Sequence, residues 1–246
     1  MREILLPLKG KQTLLQIGLC ALIFVGMAVP FKVMVLVEGL TEVRPVNAVP
    51  VVMGLLLGPA GAWGCAIGNL IADLFGTFSK ASFLGFWGNF IAAYLPYKLW
   101  HTLKNGEKPN VKSGLNLFLY LGISALSSLV VAIFLTCGLD VWLKMWLPNL
   151  FPIIFYNFYN NLGFPLALGL PILIVLTSDA HNVQPVLPPA KTPGQLTRAR
   201  LSFAVLVLTG LAIAWLLSQG LPMTSFWLTA LLGAAFLVSL VTLLLV

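Results

Sequence analysis

Long uncharged apolar runs constrain this chain more than any other feature. Several stretches of 18 or more residues carry few or no charges, which is the length that crosses about 30 Å of hydrocarbon. Inside a bilayer the backbone must satisfy its own polar groups, so a span is either a helix or a strand of a closed barrel. The runs lack the two-residue alternation of barrel strands. The sequence therefore predicts an all-α integral membrane protein. Composition agrees: 59% of the residues are hydrophobic and 9% charged, against about 25% charged in a soluble domain.

The net charge of +7 reads as loop charge that fixes topology. No Arg/Lys run with interleaved aromatics suggests a nucleic-acid surface, so the expected partner is the lipid bilayer and not nucleic acid. Cys20, Cys65 and Cys137 fall in or beside apolar segments without a CxxC pair. They read as small buried side chains, and neither a disulfide framework nor a metal site is expected. The leading segment, with Lys9 and Lys11 before a long apolar run, reads as a retained first helix, not a cleaved signal.

Turn signals divide the chain. Helices are expected over about 13–36, 46–57, 61–76, 82–103, 114–137 and 152–177, then over 200–219 and 224–246. Three units follow: a six-helix domain over 1–177, a polar proline-rich linker over 178–199, and a two-helix extension over 200–246. The division of 46–76 rests on charge. With a turn at Gly58-Pro59 and a cytoplasmic N-terminus, Arg2, Lys9, Lys11, Lys98, Lys104, Lys108, Lys112, Lys191, Arg198 and Arg200 lie inside and Lys32, Arg44, Lys80 and Lys144 outside, ten against four. An unbroken helix reverses the bias to five against nine. The positive-inside rule favours the turn, and so does Pro59, which lacks an amide proton. The expected location is the cell membrane, spanned several times.

That topology gathers polar side chains near the outer face. Asn69 and Asp73 share one helix face. Asn89 lies about a third of the way into the next helix. Asn157, Asn160 and Asn161 form a stripe at i, i+3, i+4 spacing, with Tyr156 and Tyr159 beside them. The loop with Glu38, Glu42, Arg44 and Asn47 falls on the same side. Nothing comparable is expected in the inner halves or in the last two helices. Intramembrane amides and carboxylates are costly unless paired or functional, and a cavity lined by amides, rings and a carboxylate suits a small-molecule substrate. The other reading is helix–helix adhesion. Trp87, Trp100, Trp142 and Trp146 read as interfacial anchors, and Gly54, Gly58, Gly61, Gly64 and Gly68 as close-packing positions.

The chain offers no HExxH, GxSxG or GxxxxGK[ST] pattern. His101 and His181, in or near inner loops, stand far from Asp73, so neither an enzyme nor a cofactor is expected.

The run Arg44-Pro45-Val46-Asn47-Ala48-Val49-Pro50, with Gly54, Leu57-Gly58-Pro59-Ala60-Gly61, Gly64, Gly68-Asn69 and Asp73-Leu74, resembles the substrate-binding S-components of energy-coupling factor (ECF) vitamin transporters. The resemblance covers about residues 12–177, as six helices. It implies an outward-facing pocket for a vitamin or related micronutrient, with Arg44 and Asn47 in a capping loop and Asn69 and Asp73 on the third helix. It also implies docking on a membrane T-component that carries two ATPase subunits. The chain lacks the alanine-x-x-x-alanine pair that many members carry in the first helix, having instead a small-residue stripe of Gly18, Ala21, Val25 and Ala28, and it adds two helices. A scaffolding protein of envelope assembly on the same helix plan is the alternative.

Overall fold

The computed structural model describes residues 2–32, 34–37, 41–139, 143, 150–178, 185–188, 191–218 and 226–246. Glu38, Trp142, Lys144, Trp146 and His181 lie outside them. The described chain is almost entirely helical: α1 (Arg2–Leu5), α2 (Lys11–Ala28), α3 (Ala48–Leu57), α4 (Pro59–Asp73), α5 (Ala81–Leu103), α6 (Gly114–Cys137), α7 (Leu150–Phe164), α8 (Leu170–Leu176), α9 (Pro193–Ser218) and α10 (Phe226–Leu245). Among the described residues, four stretches are long and apolar enough to cross a membrane: Lys11–Phe31, Gly114–Cys137, Ile154–Leu176 and Pro193–Leu216.

The first long helix ends earlier than expected. α2 gives way at Val29 to a 3-10 turn containing Pro30, because proline cannot continue the helical ladder. The β-branched residues beyond it form a strand, β1 (Val35–Val37), paired antiparallel with β2 (Thr41–Glu42). This small ladder is the one departure from helix among the described elements.

The chain does turn at Gly58. Its φ of +55° lies in the region that favours glycine, and α4 starts directly at Pro59, where proline's fixed φ suits the first helical position. The two helices fold back on one another: a Cβ on Gly61 would stand 2.2 Å from the Met53 carbonyl oxygen. In a continuous helix, residues eight apart are about 12 Å apart along the axis. Gly64 and Gly68 bring α4 equally close to α2, against Cys20 and Phe24, and Gly54 meets the Ala93 carbonyl of α5. The expected close-packing role of these glycines holds.

α5 is the central helix. Its residues Leu95, Leu99 and Trp100 belong to a core shared with α3, α6, α9 and α10. Phe90, Ala93, Tyr94 and Tyr97 belong to a second core with α2 and α4. Trp100 is therefore no interfacial anchor. It is fully buried and donates its indole N–H to the Glu107 carbonyl at 2.8 Å, whereas Trp87 is half exposed. The sixth predicted helix is α7 joined to α8 through a π-turn, Pro165–Gly169. There the Pro165 carbonyl accepts the Leu170 N–H, the i+5 bond of the π-turn, and the Tyr120 hydroxyl donates to the same oxygen at 2.7 Å.

The last helical pair starts earlier than expected, inside the expected linker. α9 begins at Pro193, not near 200, because Thr192 and Gln195 form a reciprocal cap: Gln195 N–H donates to Thr192 Oγ1 at 3.3 Å, and Thr192 N–H to Gln195 Oε1 at 2.9 Å. Upstream, Val186 N–H donates to the Leu56 carbonyl at 2.9 Å, which places Val186 against the end of α3.

Candidate functional site

At the Asp73 end of α4, polar side chains from four parts of the chain meet. Arg44 lies two residues beyond β2. Its guanidinium donates to Asn69 Oδ1 at 2.9 Å, and its backbone N–H donates to Asn160 Oδ1 of α7 at 3.3 Å. Asn47 Nδ2 donates to the Asn160 carbonyl at 3.1 Å. Asn69 Nδ2 in turn donates to Asp73 Oδ2 at 3.3 Å, as the four-residue spacing predicts. Asp73 also accepts from Thr77 Oγ1 at 3.3 Å and pairs with Lys32 Nζ at 3.5 Å. Lys32 bonds Thr77 as well.

Five of the nine predicted site residues, Arg44, Asn47, Asn69, Asp73 and Asn160, thus form one connected network. The geometry follows from local structure. The 3-10 turn Pro45–Asn47 directs Asn47 toward α7, and Gly85 on α5 leaves room for the Asn69 amide, which a Cβ there would meet at 2.8 Å.

The other four do not join it directly. Asn89 spends its amide on the Gly85 carbonyl one turn back, at 2.9 Å. Asn157 donates to Thr136 Oγ1 of α6 at 3.2 Å, and Asn161 donates to the Asn157 carbonyl at 2.7 Å. Tyr156 is 45% exposed and stacks edge-on to Phe155. The stripe on α7 is therefore divided: Asn160 faces Arg44 and Asn47, and Asn157 faces α6. Lys32 and Thr77 belong to the cluster although the sequence did not single them out. Thr77 had a signal, its four-residue spacing from Asp73. Lys32 had none, since its approach depends on α2 ending at Ala28.

The opposite end of α5 also differs from expectation. The inner half was expected to be featureless, yet a polar group of similar size is buried there. The Glu3 carboxylate of α1 accepts from Lys98 Nζ at 2.5 Å, from Tyr97 OH at 2.7 Å and from Tyr94 OH at 3.4 Å. Lys98 is 1% exposed and lies 5.4 Å from the centre of the Tyr94 ring. His101 belongs to no loop. It is a buried residue of α5, edge-on to Tyr97 at 4.9 Å. Lys191 donates to Thr102 Oγ1 at 3.1 Å. Burial alone would raise the Glu3 carboxyl, but the charge and hydrogen bond of Lys98 and the Tyr97 hydroxyl outweigh it and hold the group below its usual value. Burial and the Lys98 charge push Lys191 down to about 8, opposed by Glu3. Counting Lys98 as loop charge hid this cluster, because its partner lies 95 residues away.

Comparison with known protein families, curated proteins and solved structures finds no match.

Proposed function

We propose that this chain is a membrane-embedded substrate-binding subunit that takes up a vitamin-like small solute, held at the Arg44–Asn69–Asp73–Asn160 cluster. The observation that carries the reading is Arg44, which bonds α4 and α7 at once from the segment after the hairpin. A guanidinium has five N–H donors, and a solute that exchanges for either internal bond would draw three segments together around itself. Lys32, Asp73 and the amides add further donors and acceptors within reach of this point.

In this reading the chain has a six-helix S-component-like body, with α3 and α4 as two short helices around Gly58, and α9 and α10 as an added pair. The N-terminus and the Lys104–Lys112 loop are cytoplasmic, as loop charge favours. The cluster faces outward, and the resemblance of the Arg44–Asp73 region to ECF S-components supports a micronutrient as cargo. Energy for uptake then comes from partner subunits, a membrane T-component and ATPases.

The scaffold reading is favoured by a different observation: the amides of the cluster already have partners within the protein, in Arg44, Asp73 and the Asn160 carbonyl, as interhelical adhesion requires. Native mass spectrometry of gently purified protein, thermal shifts against a micronutrient panel and uptake assays on Asp73→Ala separate the two. A bound solute, a ligand-induced shift and lost uptake are expected. An empty protein with no shift and unaltered uptake in Asp73→Ala overturns the solute-binding reading, and co-purification with envelope-assembly proteins would replace it with the scaffold.

A further inference from the structure

The cluster at the Leu103 end of α5 is rich in donors and poor in acceptors. Tyr94, Tyr97, Lys98, His101 and Lys191 each bring at least one N–H or O–H, and Glu3 is the one carboxylate among the described residues that they surround. His101 is 2% exposed, yet neither ring nitrogen meets a partner among the described residues. A buried imidazole with both nitrogens unbonded is rare in a finished polar site. Two ammonium groups against one carboxylate leave an excess positive charge. This composition is that of a receptor for an oxyanion with more oxygens than a carboxylate has.

The resident anion sits on a short N-terminal arm. Glu3 sits on a four-residue helix, and Leu5 and Leu6 beside it are at least half exposed. Beyond the junction with α2, the hydrogen bonds holding this arm among the described residues are those of Glu3 and one from Trp63 Nε1 to the Ile4 carbonyl, 2.8 Å. Four of the donors, by contrast, are buried residues of α5, and the fifth, Lys191, reaches Thr102 of that helix from just before α9. Lys98 lies five residues, about 7.5 Å, before the helix end, and basic pockets between membrane helices bind anionic phospholipid headgroups.

We propose that Tyr94, Tyr97, Lys98, His101 and Lys191 form a phosphate-binding socket in which the Glu3 carboxylate is a displaceable plug, and that a phosphate group, from an anionic phospholipid headgroup or free in solution, takes its place when the arm lifts. Phosphate supplies the additional acceptor oxygens that would reach His101 and Lys191. The inference stands apart from the solute cluster at the other end of α5.

The test uses the full chain in mild detergent, with native mass spectrometry against phosphatidylglycerol, phosphatidylcholine and inorganic phosphate alone. Wild type should retain phosphatidylglycerol over phosphatidylcholine. Glu3→Gln, with the plug neutralised, should bind phosphatidylglycerol at least about fivefold more tightly, and Lys191→Met on that background should remove the gain. Competition by inorganic phosphate assigns free phosphate as the occupant; retention in its excess assigns the headgroup. Equal retention of both lipids together with no binding of inorganic phosphate overturns the proposal, as does a gain that survives Lys191→Met. Hydrogen exchange on wild type guards against a misfolded Glu3→Gln. Amides of residues 4–9 should lose protection as phosphatidylglycerol or inorganic phosphate is added and not with phosphatidylcholine, and unchanged protection with all three overturns it.

Discussion

The Arg44 guanidinium donates to Asn69 Oδ1 at 2.9 Å, and this bond couples the segment after the hairpin to the middle of the polar cluster. It is charge-assisted and partly buried, a class worth about 1.5–3 kcal/mol. Arg44→Ala and Asn69→Ala are each expected to destabilise the protein by about 1–3 kcal/mol. The double variant should lose less than their sum, because the second substitution removes a partner already gone. Unfolding titrations of the four proteins in mixed detergent measure this coupling, and simple additivity would place the two side chains in independent environments.

Glycine substitutions should separate sharply by position. A Cβ at Gly54 would stand 1.8 Å from the Ala93 carbonyl oxygen, and one at Gly61 2.2 Å from that of Met53. Backbone cannot yield as a flexible side chain does, so Gly54→Ala and Gly61→Ala should each cost at least about 1–3 kcal/mol. Gly18 and Gly26 of α2 face open space, and alanine there removes a helix-weakening residue. Gly18→Ala and Gly26→Ala should be neutral or gain up to about 1 kcal/mol. Thermal midpoints followed by tryptophan fluorescence test the ranking.

The helices were legible because membrane hydropathy and the Gly58-Pro59 turn are local properties of the chain. The shared network of Asn69, Asp73, Arg44, Asn47 and Asn160 was legible in part, since costly buried amides at one depth tend to meet. Which of the α7 amides faced it was not. Asn157 and Asn160 differ by less than one turn, and the choice between α6 and Arg44 is made by helix rotation, which pattern alone leaves open. Lys98 was misread for a stronger reason. A lysine near a helix end resembles topology-setting charge, and only tertiary structure brings Glu3 against it. The early start of α9, by contrast, was encoded in Thr192-Pro193-Gly194-Gln195, a capping box with proline at its first helical position.

That cap yields a direct expectation. Thr192→Ala removes the acceptor of the Gln195 amide, a change worth about 1 kcal/mol at helix N-termini. Hydrogen exchange should show the amides of residues 194–197 losing protection in Thr192→Ala, with those beyond 205 unchanged. Thr192→Ser should restore protection, because serine keeps the accepting oxygen. Loss throughout α9 would mean that the cap nucleates the helix instead of trimming its end.

Lys191 gives the fold a distinctive alkaline response. Its folded value of about 8 lies below the ordinary 10.5, so between these values the unfolded chain binds more protons than the folded one. Stability therefore rises with pH across this window. Below about 8 both states are protonated, and the cost of holding the charged amine beside Lys98 is felt in full. Glu3 acts at the other extreme: its lowered value stabilises the fold above the ordinary carboxylate range and ceases to do so as pH falls through the folded value. Unfolding free energies measured from pH 7 to 9 should climb in wild type relative to Lys191→Met, the difference isolating this amine from the other groups that titrate at alkaline pH. Glu3→Gln should steepen the climb, because the carboxylate that partly offsets the depression of Lys191 is gone. A difference between the two proteins that stays flat over this range would mean that the amine is solvated and unperturbed in the folded protein.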